Sequence, residues 1–267
     1  MAGLKDVRDK VAVVTGASSG IGEALARELA ARGAVVALVA RRKERLEALA
    51  RELAGAGSRA HPFACDVREA DAIASTARQI EAEVGPVDLL VNNAGYGWHG
   101  SFRDHAAADI HDMMITNLMG TVRFIQCLLP GMRARGAGWI VNVGSFAGKI
   151  GQADEVAYSA SKFAVTGLSQ GLAQELAPDG IHVLCLHPTL VRTEMFTPEV
   201  LARMPAASSR SFISAEEFAR RALRALEKGR TEAVIPGTMR IPILLHALFP
   251  EWMGRTLGRI KLAALEK

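Results

Sequence analysis

Tyr158 and Lys162 stand four residues apart in Tyr158-Ser159-Ala160-Ser161-Lys162. On a helix that spacing puts both on one face, with Cβ atoms about 5–6 Å apart. A phenol ordinarily keeps its proton until pH ~10. An ammonium fixed beside it favours the phenolate and is expected to draw that pKa toward working pH. Such a pair can give a proton to an alcohol oxygen or take one from it. The same spacing also occurs by chance on solvated helices, so the elements around the pair must decide.

The first such element is the run Lys10-Val11-Ala12-Val13-Val14-Thr15, β-branched and apolar throughout, as in a strand buried on both faces. It leads into Gly16-Ala17-Ser18-Ser19-Gly20-Ile21-Gly22, then a helical pattern over residues 23–32 that Gly33 closes. Strand, Gly-rich turn and helix together make a phosphate cradle. The glycines let backbone approach an anion, and the helix N-terminus points free N–H groups at it. The spacing is GxxxGxG, not the commoner GxGxxG.

A second strand over residues 34–40 ends in Arg41-Arg42-Lys43. Dinucleotide folds that take NAD usually place Asp or Glu here for the ribose 2′-hydroxyl. Guanidinium groups suit a 2′-phosphate instead. Basic residues at a helix start oppose its dipole and need another reason to be there. The expectation is therefore NADP(H) over NAD(H), held by Arg41 and Arg42.

Strand and helix then alternate. A strand over 59–64 ends at Cys65-Asp66-Val67, and one over 87–91 runs into Asn92-Asn93-Ala94-Gly95. Long helical stretches follow over 106–135, with Asn117 in the middle, whose amide must be satisfied if buried. Trp139-Ile140-Val141-Asn142-Val143 leads to Gly144-Ser145, and a sixth strand over 181–186 leads to His187-Pro188-Thr189. Such alternation predicts an α/β fold, a parallel sheet with helices on both faces and ligands at the carboxyl ends of its strands. Residues 1–267 read as one domain. Residues 194–214 lack periodicity, as a substrate lid does. The apolar and basic tail over 239–267 reads as a helical flap, with a membrane-surface helix as the alternative.

Composition narrows the class. Hydrophobic residues are 49% and charged residues 22%, an ordinary globular balance. The net charge of +4 is spread among acidic residues with no basic, aromatic-laced run, which argues against nucleic acid. Three scattered cysteines without CxxC suggest buried apolar residues, not a disulfide frame or a zinc site. His99, His105 and His111 are six apart, which suits no metal pair, and no metal is expected. The charged first ten residues do not form a signal peptide, so a cytoplasmic location is expected.

The motifs Thr15-Gly16-Ala17-Ser18-Ser19-Gly20-Ile21-Gly22, Asp66-Val67, Asn92-Asn93-Ala94-Gly95, Asn117, Ser145, Tyr158 and Lys162 stand in an order that resembles the short-chain dehydrogenase/reductase family over about residues 8–236. The resemblance implies a Rossmann-type doubly wound sheet of seven strands and nicotinamide-dependent alcohol–carbonyl chemistry, with Asn117, Ser145, Tyr158 and Lys162 as the catalytic set. It implies that Gly16, Ser18, Ser19, Gly20, Ile21 and Gly22 cradle the cofactor. It further implies that Asp66 and Val67 hold the adenine end, and that Asn93, Ala94 and Gly95 line the site. By the same resemblance Lys162 binds the nicotinamide ribose, and Asn117 helps hold a water that links it to solvent. Pro188, Val191 and Thr193 would flank the nicotinamide, and Thr189 stands where the family often has Gly, so its Cβ could crowd that end. A homodimer or homotetramer through the helices over 104–135 and 155–177 is also implied. Trp98, Phe146, Met195, Phe196 and Phe212 are the expected walls for a hydrophobic carbonyl or alcohol substrate. A non-catalytic NADP sensor and a membrane-surface protein remain as alternatives.

Overall fold

The structure, a computed structural model, describes residues 3–202, 204 and 212–265. Seven strands form one sheet: β1 (Val11–Thr15), β2 (Val35–Ala40), β3 (Arg59–Ala64), β4 (Leu89–Asn92), β5 (Gly138–Val143), β6 (Ile181–Pro188) and β9 (Glu232–Ile235). Their order is β3-β2-β1-β4-β5-β6-β9, with every pairing parallel. A two-residue pair, β7 (Val191–Arg192) and β8 (Ile213–Ser214), lies apart from it.

Alternate residues of each strand face opposite helical layers. Ala12, Val14, Val36 and Leu38 pack with α1 (Gly20–Ala31), α2 (Lys43–Gly55) and α8 (Ala215–Glu227). Val11, Val13, Ala37 and Val39 pack with α3 (Ala70–Glu83), α5 (Gly120–Arg135) and α6 (Val156–Glu175). Burial on both faces is why these strands are continuous apolar runs and not alternating ones. Helix α8 shows how local chemistry sets a boundary. Ser214 accepts a hydrogen bond from the Glu217 N–H at 3.1 Å, satisfying one of the free donors of the first turn.

The chain winds outward from β1 to β3, then returns to place β4 on the other side of β1. That reversal opens a crevice at the carboxyl ends of β1 and β4. A buried polar relay crosses the middle of the sheet nearby. Asn92 Nδ2 donates to Asn142 Oδ1 at 2.9 Å, and Asn142 Nδ2 donates to Ser169 Oγ on α6 at 2.9 Å.

The helical stretches over 106–135 are α4 (Ala107–Met114) and α5, joined by a π turn, Ile115–Met119. An extra residue per turn is a device that aims a side chain at a site, here Asn117. Segment 194–214 is not wholly irregular, since α7 (Pro198–Ala202) and β8 lie within it; residues 203 and 205–211 fall outside the described residues. The tail forms two helices, α9 (Arg240–Leu248) and α10 (Pro250–Leu265). Cys65 and Cys185 are buried free thiols as expected, whereas Cys127 is only half-buried.

Candidate functional site

The Gly-rich turn needs its glycines individually. Gly16 and Gly20 adopt φ +67 and +59, which an L side chain rarely tolerates. A Cβ at Gly22 would stand 2.3 Å from Gly16 O, inside any van der Waals contact. The turn is braced from β4: Asn93 Nδ2 donates to Thr15 O at 3.0 Å. Thr15 Oγ1 accepts from the Asn93 and Ala94 N–H groups at 2.9 and 3.0 Å. Thr15 is a buried contributor that sequence reasoning left as a motif letter. Asn93 fastens the turn to the strand beside it and does not project into the crevice alone.

Ser19 caps α1 in extended backbone without a side-chain cap bond, leaving the helix's first donors available. Arg42 reaches back to this turn: Nη2 lies 2.9 Å from Ser18 Oγ and 2.6 Å from Ser19 Oγ. Its Nη1 meets Glu194 Oε2 at 3.2 Å, and Arg45 Nη1 meets Glu194 Oε1 at 2.7 Å. An anion thus already sits across two guanidinium groups at the turn, with Arg45 and then Arg42 holding the Glu194 carboxyl below its usual range. The basic arrangement suits a phosphate as well as a carboxylate. Arg41 is exposed, and its charge falls on Asp66. Asp66 itself is engaged by Arg68, Nη2 to Oδ2 at 2.7 Å, which holds its carboxyl down. Val67 is buried against Gly120, where a Cβ would come within 3.0 Å of it. The cradle, the open helix start and the basic corner together fit a dinucleotide.

Tyr158, Ser159, Ser161 and Lys162 lie in the first two turns of α6. Lys162 is buried, donates from Nζ to Val143 O at 2.9 Å, and sits 5.8 Å from the Tyr158 ring centroid. Burial pulls its pKa down to about 8. Burial likewise pushes Tyr158 up to about 12, with a Ser145 hydrogen bond opposing and the Glu155 charge adding to the rise. The expectation that Lys162 draws the Tyr158 pKa toward neutrality is therefore not met in the protein alone. The ammonium donates to a backbone carbonyl, and desolvation dominates at the phenol.

Asn117 is buried and satisfied. Its Oδ1 accepts from the Tyr96 N–H at 3.0 Å, and its Nδ2 donates to Tyr96 O and to Ser161 Oγ, both at 2.9 Å. The side chain stitches the loop after β4 to α6 and makes no contact with Lys162. Gly95 passes between them, where a Cβ would lie 2.8 Å from Asn117 Oδ1 and 3.6 Å from Lys162 Nζ. Ser145 stands two residues beyond β5 in extended backbone, and its hydroxyl accepts from the Ala147 N–H at 3.1 Å.

Around the mouth, Phe196 packs edge-on against Phe212 at 4.9 Å between centroids, and His99 lies 6.4 Å from Phe196. His99 also pairs with Glu155 at 3.2 Å, so it belongs to this rim, a role its spacing did not disclose. Trp98 and Met195 are exposed, and Phe146 is half-buried. Lys261 of α10 reaches Glu155 at 3.7 Å and Asp154 at 4.0 Å, which brings the tail to the same edge. Thr189 turns its hydroxyl to Ile235 O at 3.3 Å, which directs the side chain toward β9. Pro188 ends β6, Val191 is buried, and Thr193 packs over Gly20, 3.0 Å from where a Cβ would lie. Among the described residues no group of His, Cys, Asp and Glu is arranged to hold a metal ion, and no helix is long and apolar enough to cross a membrane.

A doubly wound sheet with a phosphate turn at its switch point defines a Rossmann-type dinucleotide-binding protein. The model of the short chain dehydrogenase family matches residues 10–203, and the chain belongs to that family. An uncharacterized oxidoreductase of Mycobacterium tuberculosis (strain ATCC 25618 / H37Rv) is 40% identical over 201 residues, covering 73% of this chain and 59% of that one. The match thus spans less than two thirds of that relative's length. A fatty acyl-CoA reductase of Acinetobacter baylyi is 35% identical over 252 residues, covering 92% of this chain and 82% of the relative. Among solved structures, a gluconate 5-dehydrogenase of Burkholderia cenocepacia J2315 in complex with NADP and tartrate is 28% identical, with a TM-score of 0.79 over 88% of this chain and 97% of its own.

Proposed function

We propose that this chain is an NADP(H)-dependent oxidoreductase that interconverts a carbonyl and an alcohol on a hydrophobic small molecule. The observation that carries the proposal is half-buried Tyr158, bonded to Ser145, one turn before buried Lys162 at the same sheet edge as the Gly-rich turn. When bound, the nicotinamide cofactor supplies or accepts the hydride. Ser145 and Tyr158 donate hydrogen bonds to the substrate oxygen where negative charge develops during reduction. Tyr158 holds the transferable proton at its phenol oxygen, and Lys162 stabilises the phenolate that remains. Oxidation runs the same proton back.

A phenol at about 12 is a poor base but a competent reservoir for the reducing direction. Arg42, poised on Ser18 and Ser19, supports the 2′-phosphate preference. Relatives act, by their names, on both fatty acyl and sugar-acid compounds. The aromatic rim of Phe196 and Phe212, with Trp98 and Met195, favours the apolar class here. Residues 194–214 and 239–267 serve as lid and flap of a one-domain cytoplasmic enzyme. Open space over Gly167 and Gly171 beside exposed Phe163 on α6 gives a homodimer or homotetramer a face to pack on.

The test is NADPH oxidation against a panel of apolar ketones and aldehydes, run beside NADH. Equal rates with both cofactors remove the phosphate preference. Tyr158→Phe is expected to lose about 10²-fold or more of turnover while keeping NADPH affinity. A fully active variant removes the acid–base assignment.

A further inference from the structure

Glu232 opens the edge strand β9, beyond the motifs that the functional reading uses. Its Oε2 is 2.6 Å from Lys149 Nζ and 3.6 Å from His187 Nε2, and its Oε1 accepts from Gln170 Nε2 at 2.6 Å. His187 is fully buried at the end of β6, with Nδ1 3.2 Å from Ser145 O. A carbonyl only accepts, so Nδ1 must carry a hydrogen. Nε2 faces the carboxylate at ion-pair distance but outside hydrogen-bond range, so the contact is that of an imidazolium beside an anion. Lys149 directly follows the short turn Phe146–Gly148 that begins at Ser145. One carboxylate therefore meets both ends of the serine's turn, at Lys149 directly and at Ser145 by way of an ion pair with His187. Through Gln170 it also grips α6, which carries Tyr158 and Lys162.

We infer that Glu232 is a positioning residue that fixes the Ser145 turn relative to the Tyr158–Lys162 helix, acting through His187, Lys149 and Gln170. The inference rests on the proposed role of Ser145. Removing the anion frees Lys149 and Gln170 and leaves the His187 ring without the group that orients it. The turn and the helix then move separately, and the oxygen that Ser145 and Tyr158 must both reach is no longer held at one point. His187, and after it Lys149 and Gln170, also hold the Glu232 carboxyl well below its usual range, against the cost of burial.

The test begins with hydrogen exchange on the full ligand-free chain. The Ala147 and Gly148 N–H groups bond to Ser145 Oγ and O. Glu232→Gln is expected to lose about tenfold or more of the protection at both, and none at Val183 and Leu184 of β6. Unchanged protection at the turn, or an equal loss through β6, overturns the inference. In the second arm, with NADPH and decanal or 2-decanone, Glu232→Gln is expected to lower kcat about tenfold and to leave the KM for NADPH within about twofold. In a Ser145→Ala background the same change is expected to cost nothing further, whereas a full additive loss overturns the inference alone. A fully active Ser145→Ala chain overturns the functional reading and the inference together. Glu232→Asp is expected to recover part of the loss. Lys149→Met cuts the direct contact without altering the strand, and it is expected to give a smaller loss of the same kind; full activity and full protection in it overturn the inference.

Discussion

Replacing Lys162 by Met should make the protein more stable while abolishing its turnover. Lys162 is buried at 5% exposure with one hydrogen bond, to Val143 O. Burial takes its pKa from the usual 10.5 to about 8. At about 1.4 kcal/mol per pH unit, holding the ammonium in that site costs roughly 3 kcal/mol at pH 7. Met fills a similar volume without charge and forfeits the bond to Val143 O, about 1 kcal/mol. The net expectation is about 2 kcal/mol of added stability, or about 4–8 °C in Tm for a chain of this size. The gain must depend on pH in one direction. Between pH 8 and 10.5 the unfolded chain keeps the lysine proton that the native chain has released, so wild-type stability rises with pH across that window. The Met variant shows no such rise, and the two should cross near pH 10. Urea unfolding of both proteins at pH 7 and pH 10 measures this. A Met variant less stable than wild type at pH 7, or a gap that does not close by pH 10, refutes the reasoning.

Thr15→Val keeps shape but leaves the Asn93 and Ala94 N–H groups without their acceptor, so unfolding should become easier by about 2–4 kcal/mol in denaturant titration. Arg42→Ala removes the guanidinium held over Ser18 and Ser19, and the ratio of kcat/KM for NADPH to that for NADH should fall about 10- to 100-fold, with NADH nearly unchanged.

The sheet and its switch point were legible because buried parallel strands leave continuous apolar runs, and each polar motif followed such a run. The Gly-rich turn, Ser145 and the Tyr158–Lys162 pair were legible for the same local reason. Other features depend on which strands become neighbours. Arg42 meets Ser18 only because β2 lies beside β1. Glu232 meets His187 only because β9 lies beside β6. Neither contact leaves a periodic trace. The π turn at Asn117 was hidden because residues 106–135 fit an ordinary helix nearly as well. The Tyr158 pKa was misjudged since spacing reports which groups are near but not how much water each has lost.

The asparagine relay across β4, β5 and α6 bears on how the chain reaches this fold. Parallel strands meet only after long connections have closed, so competing alignments are sampled on the way. In the native register Asn92 faces Asn142. A slip by one residue would set each amide against an apolar neighbour and bury it unbonded, at about 1–3 kcal/mol apiece. Apolar side chains at these positions would tolerate such slips far better. The relay therefore sets a penalty on misaligned central strands that an all-apolar pair of strands would lack.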